Sequence, residues 1–210
     1  MRQDDGQIRQ RVVELAAKAW HEGRPTEWFE ELYQVAQGDP SLVPWADLEP
    51  NRHARHLLDS LGSGEGREAL VVGCGLGHDA EDLAVRGWRV TAFDLAPTAI
   101  LWAKRLHPDS TVNYVVADAL QPFSEWQEGF GLIHEIHTLQ TLPDDLRRKV
   151  CQVLVECLAP GGILLVGCRA RNEGPERQTM PIPLPKTSLD LFVDLGLEEV
   201  VFEDFLDGEG

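Results

Sequence analysis

Over the opening stretch of the chain, apolar residues recur at the spacing of a helix face. Ile8, Val12, Val13, Ala16, Ala17 and Trp20 predict a helix over 8–20, closed by Gly23-Arg24-Pro25. A second helix begins near Thr26 as N-cap and carries Trp28, Phe29, Leu32, Tyr33 and Ala36 on one face, until Gly38-Asp39-Pro40 breaks it. A loop over 41–50 leads to a third helix, 51–61, with Ala54, Leu57, Leu58 and Leu61 aligned.

The period then changes. Ala69-Leu70-Val71-Val72 is a short apolar run that enters Gly73-Cys74-Gly75-Leu76-Gly77, followed by helix-compatible sequence and a β-rich run ending in Asp94. Strands over 111–116 and 130–136 follow, with a helix over 97–106 before them and another from Pro143 after them; Leu146, Val150, Val153, Leu154, Cys157 and Leu158 form its stripe. Pro160-Gly161-Gly162 stops that helix, and the uninterrupted run 163–167 reads as a central strand covered on both faces. A polar, proline-rich loop (171–186) precedes a short helix begun by Thr187 with Asp190 as its capping box, and a sixth strand is expected over 199–205. Strands alternating with helices at this spacing imply an α/β, doubly wound, mostly parallel Rossmann-like sheet. It divides into an N-terminal helical lid segment, 1–61, and a ligand-binding domain, 62–210.

Charge narrows the partners. A formal net charge of −16 opposes broad attraction to phosphate backbones and anionic membranes, so neither nucleic acid nor a membrane is expected as partner. Cys74, Cys151, Cys157 and Cys168 lack CxxC spacing, which suggests reduced thiols rather than a zinc cluster or disulfide framework. The polar N-terminus and the lack of any long apolar run lead to the expectation of a soluble, cytoplasmic protein.

The strand, glycine turn, helix, strand and acid from Ala69 to Asp94 suit a nucleoside-bearing cofactor: glycines admit the ligand close to the backbone, and a carboxylate after the next strand accepts from ribose hydroxyls. A nicotinamide motif would read G-x-G-x-x-G, whereas here the glycines stand at 73, 75 and 77, which disfavours an oxidoreductase. Asp118-Ala119 after the third strand, where a carboxylate and a backbone N–H suit an adenine edge, discriminates further. His134 and His137 flank Glu135, but on a strand they point to opposite faces, so ordinary pocket residues are expected rather than a metal site. His53 and His56 read as a solvated helix face, His78 as the start of a helix, and the stripe of Trp20, Trp28, Phe29 and Tyr33 as core.

The stretch 69–166 resembles the class I S-adenosylmethionine-dependent methyltransferases, through VVGCGLG, TAFDLAP, VVADAL, FGLIHEIHTLQTLP and LAPGGILLVG in family order. More narrowly, GCGLGHDAEDLAVRGWRVTAFDLAPTAI with PWADLEP upstream is similar to the thiopurine and thiol methyltransferase branch and its tellurite-resistance relatives. The resemblance implies S-adenosyl-L-methionine as cofactor and methyl transfer to a small-molecule acceptor, with a thiol as one candidate. It assigns Gly73, Cys74, Gly75 and Gly77 to the methionine and ribose, Asp94 to the ribose hydroxyls, Leu95 to packing on adenine, and Asp118 and Ala119 to its edge. Trp45 would cover the cofactor, and Glu135 would hold its ammonium or face the acceptor. For a hydroxyl or amine acceptor, Glu135 or His137 is the expected general base. The sequence departs from the family at Gly131, where an aspartate is common, and at Glu135-Ile136, where thiopurine enzymes carry Asp-Arg. The seventh strand usual in the family is expected to be missing after 205 or cut off by truncation, and a cofactor-binding protein without catalysis stands as the second reading.

Overall fold

The computed structural model describes residues 5–121, 124–174 and 182–205. Five strands, β1 (Glu68–Val72), β2 (Arg89–Asp94), β3 (Asn113–Val116), β4 (Phe130–Ile136) and β5 (Leu158–Gly167), form one parallel sheet in the order β3-β2-β1-β4-β5. The register levels their carboxyl ends: Val72 lies opposite Phe93 and Glu135, and Asp94 opposite Val116. Ala69–Val72 are all buried, as an apolar run between two helical layers must be.

One face is covered by α3 (Arg52–Leu61), α4 (His78–Val85) and α5 (Pro97–Leu106), whose Leu58, Leu83 and Ile100 meet Val71, Val90 and Leu132. The other is covered by α6 (Asp144–Cys157) and α7 (Asp190–Asp194), with Val150, Leu154 and Phe192 against Leu70, Val72 and Ile133. A further layer lies toward the carboxyl ends of the strands. There α1 (Asp5–His21) and α2 (Trp28–Ala36) pack Val12, Ala16, Trp28 and Leu32 against Ile182 and Leu184. Tyr33 and Ala36 pack against Leu76, Ala96 and Trp102. No helix among the described residues is long and apolar enough to cross a membrane.

The structure corrects several boundaries. The run 163–167 is not a central strand: β5 is the sheet edge, with Ile163 41% exposed, and its apolar pattern reflects helix cover on the faces rather than a second ladder. Pro160-Gly161-Gly162 does not separate helix from strand, because β5 begins at Leu158, directly after α6, and absorbs the glycines at a register shift opposite Phe130 and Leu132. Residues 199–205 form no strand; Val200 is 84% exposed, and the segment is held instead by Phe205 stacked on His53 and Phe202 under Lys186. Strand propensity without a ladder partner does not make a strand. Positions 206–210, on which the expectation of a missing seventh strand rests, lie outside the described residues. Thr26 does not cap α2, which starts after Glu27 with no side-chain cap. Thr187 forms no capping box either, since its hydroxyl donates to Glu173 at 2.9 Å.

Candidate functional site

The turn after β1 is stitched to β2 by Cys74 N–H, which donates to Phe93 O at 2.9 Å. Gly73 lies against Thr138, beyond the end of β4. Gly75 has φ +51°, and a Cβ there would stand 3.2 Å from Tyr33 Oη. Gly77 has φ +89°, and a Cβ there would collide with the Tyr114 ring. Both positions therefore need glycine for conformation and for space. Tyr114 is itself pinned by its hydroxyl to Glu81 Oε1 at 2.6 Å, which ties β3 to the first turn of α4. His78 opens α4, its ring edge-on to His107.

Asp94 closes the turn from β2. Its Oδ2 accepts from Gly75 N–H and its Oδ1 from Ala96 N–H, both at 2.9 Å. The residue is 9% exposed, and burial pushes its pKa up to about 6 against those two bonds. Each oxygen keeps a further lone pair, so the carboxylate can still accept from hydroxyls. Leu95 follows half-buried, and Ala117 N–H donates to Asp94 O at 3.0 Å, keeping the Asp118-Ala119 loop alongside. Asp118 Oδ1 accepts from Leu120 N–H at 2.8 Å. The structure thus brings Gly73, Cys74, Gly75, Gly77, Asp94, Leu95, Asp118 and Ala119 together on the adjacent ends of β1, β2 and β3. Cys74 is half-buried, with its thiol pushed well above the usual range by burial, as for a packed rather than a nucleophilic group.

The cover comes from α2 and the loop after it. Trp45 Nε1 donates to Tyr33 Oη at 2.9 Å, and the Trp45 ring meets Phe29 and Tyr33 edge-on. Glu30 reaches from α2 to the start of α5, accepting from Thr98 N at 3.0 Å and from Thr98 Oγ1 at 2.6 Å. Because Ala96 supplies no side-chain cap, the cap of α5 comes from another helix.

At the end of β4 the two expected bases face different surroundings. Glu135 is 0% exposed; its Oε1 accepts from Thr138 N–H at 2.6 Å and Leu139 N–H at 2.9 Å, while Oε2 is buried without a partner among the described residues. Burial raises its pKa to about 7, and its charge bears on Cys151 and Cys168. His137 lies past the strand at φ +66°, held by its N–H to Gly167 O at 2.8 Å, and its buried Nδ1 has no partner among the described residues. Burial, then Arg169, lowers its pKa, while Gln140, Asp47 and Asp79 oppose that shift. The Gln140 side chain is fixed by Arg169 N–H, which donates to Oε1 at 2.7 Å. His134 is buried on the strand, and no three potential ligands gather for a metal among the described residues.

Sequence reasoning passed over Tyr33, Glu30, Asp47, Asp79, Gln140 and Arg169. Only Asp47 carried a signal, because it stands in the PWADLEP stretch already set apart by Trp45.

Residues 69–162 match the family described as a methyltransferase domain. Nodulation protein S of Rhizobium tropici is 37% identical over 147 residues, covering 69% of this chain and 60% of its own length. The chain spans about three fifths of the curated relatives it matches. Among solved structures, N-methyltransferase NodS from Bradyrhizobium japonicum WM9, in complex with S-adenosyl-L-homocysteine, is 25% identical with a TM-score of 0.58, covering 78% of this chain and 85% of that one. A TehB-like methyltransferase from Corynebacterium glutamicum shares the fold, with a TM-score of 0.59 at 22% identity over 80% of this chain and 84% of its own. On the shared domain and the shared sheet, this chain belongs to the class I S-adenosylmethionine-dependent methyltransferases.

Proposed function

We propose that the protein transfers the methyl group of S-adenosylmethionine to a small acceptor whose nucleophile is an amine or a hydroxyl, held beside His137. The observation that carries this reading is Asp94, a buried carboxylate bonded to Gly75 N–H and Ala96 N–H at the end of β2, with β1 between it and the strand that presents His137. Gly73, Cys74, Gly75 and Gly77 line the methionine and ribose; Asp94 takes the ribose hydroxyls, Leu95 packs on adenine, and Asp118 and Ala119 meet its edge. Trp45, with α1 and α2, forms the cover. When bound, S-adenosylmethionine supplies an electrophilic methyl on a sulfonium whose sulfur leaves as a neutral thioether.

His137 then accepts the proton that the acceptor loses as its new bond to carbon forms. Its lowered pKa keeps the imidazole neutral at neutral pH, and Asp47 and Asp79 stabilise the imidazolium that results. Glu135, bonded to Thr138 and Leu139 N–H, holds the turn that presents His137 rather than acting as the base. The aromatic cover excludes water, which matters for a displacement that disperses charge. The Bradyrhizobium relative is named an N-methyltransferase, which supports an amine. A thiol acceptor, implied by the narrower likeness to the thiol branch, ionises readily and needs His137 less.

The test is a panel of amine, hydroxyl and thiol acceptors read by S-adenosylhomocysteine formation, with wild type and His137→Asn, since asparagine tolerates the positive φ. Turnover of an amine or hydroxyl with a loss of about 10²-fold or more in kcat, and unchanged affinity for S-adenosylhomocysteine, is expected. Turnover confined to thiols and indifferent to His137 contradicts the reading. Binding without turnover of any acceptor favours a non-catalytic cofactor-binding protein.

A further inference from the structure

Tyr33 sits in what the sequence presents as an ordinary apolar stripe, yet its hydroxyl has a defined place. The residue is 1% exposed, its ring edge-on between Trp45 and Trp102 with centroids 6.1 and 5.7 Å away. The oxygen accepts from Trp45 Nε1 at 2.9 Å, which leaves the phenol's own O–H to donate. It stands beside the Cα of Gly75, the residue whose N–H is held by Asp94. Filling space alone would be done as well by phenylalanine, because burying a hydroxyl without full compensation costs about 1–3 kcal/mol.

We propose that Tyr33 is a direct cofactor-contact residue whose O–H donates to the carboxylate of the cofactor's amino-acid portion as it passes Gly75, with Trp45 as the positioning residue that fixes the oxygen. The inference rests on the reading that S-adenosylmethionine lies along the glycine turn and Asp94. Burial and the neighbouring Asp94 hold the phenol well above its usual range, so it remains a donor across the working pH. A phenol donating to a carboxylate is charge-assisted and therefore among the stronger hydrogen bonds. Any side chain at position 75 would meet the oxygen, so turn and tyrosine are shaped to each other.

Tyr33→Phe removes the oxygen and keeps the ring, and Trp45→Phe keeps the oxygen but removes its donor. Both full-length variants are titrated calorimetrically with S-adenosylhomocysteine and with methylthioadenosine, which lacks the amino-acid portion. Tyr33→Phe is expected to weaken S-adenosylhomocysteine by about tenfold and to leave methylthioadenosine unchanged, with a smaller loss of the same kind for Trp45→Phe. Equal or tighter binding of S-adenosylhomocysteine by Tyr33→Phe would mean that the ring merely plugs the groove, and overturns the proposal. An equal loss for both probes also overturns it, because the effect would then lie in the fold. Wild type binding neither probe overturns the cofactor reading itself, and this inference with it.

Discussion

Glu135 has one oxygen with two backbone donors and another with none, and that imbalance sets its chemistry. Its pKa is raised from 4.5 to about 7, chiefly by burial, so the protonated acid is the form the fold prefers. The stability this contributes is complete below pH 4.5 and is lost as pH rises through about 7; a shift of this size corresponds to about 3 kcal/mol. Glu135→Gln keeps an acceptor for Thr138 and Leu139 N–H while removing the charge. It should unfold at a higher denaturant concentration than wild type at pH 8, and close to wild type at pH 4.5. A variant less stable than wild type at pH 8 would mean that the ionised carboxylate has a partner. Asp94 shares the burial but has a backbone donor on each oxygen and sits at the glycine turn, where a ligand's hydroxyls can add to them.

At the scale of elements, one pair of hydrogen bonds adds to the apolar packing that ties the cover to the sheet layer. Glu30 caps α5 from α2, so opening the cover uncaps a helix of the sheet layer. Glu30→Ala should cost about 1 kcal/mol of stability and speed S-adenosylhomocysteine dissociation several-fold in a stopped-flow displacement; an unchanged off-rate would show that α2 is not the gate. The elements most legible in the sequence are those whose cause is local. The strand 130–136 and the helix 97–106 are found where the apolar pattern puts them, and Asn51 caps α3 through His53 and Ala54 N–H. What depended on a partner was not legible. The rank of β5 in the sheet and the fate of 199–205 are decided by what lies beside them, which periodicity does not record. The candidate site divides the same way: the glycine turn, Asp94 and Asp118 are picked out by their spacing, whereas Tyr33 and Glu30 look like the apolar and solvated faces of any amphipathic helix until the fold places them over Gly75 and Thr98.

Across the whole molecule, two helical layers fix the sheet and a further aromatic layer closes over its carboxyl ends, so the proposed site lies at the junction of the 1–61 segment with the sheet. The net charge of −16 opposes attraction to polyanions, in keeping with the small acceptor proposed above. The central claim is that this junction holds S-adenosylmethionine through Asp94. It is tested most directly by calorimetric titration of wild type and Asp94→Asn with S-adenosylhomocysteine at pH 7.5 and 5.5. The ionised carboxylate offers two charged oxygens to the ribose hydroxyls where the amide offers one neutral oxygen, and burial pushes the Asp94 pKa up to about 6 in the free protein. Wild type should therefore bind one equivalent at pH 7.5 and more weakly at pH 5.5. Asp94→Asn should bind about tenfold or more weakly at pH 7.5, with little dependence on pH. No saturable binding by wild type, or equal binding by the variant, would contradict the account.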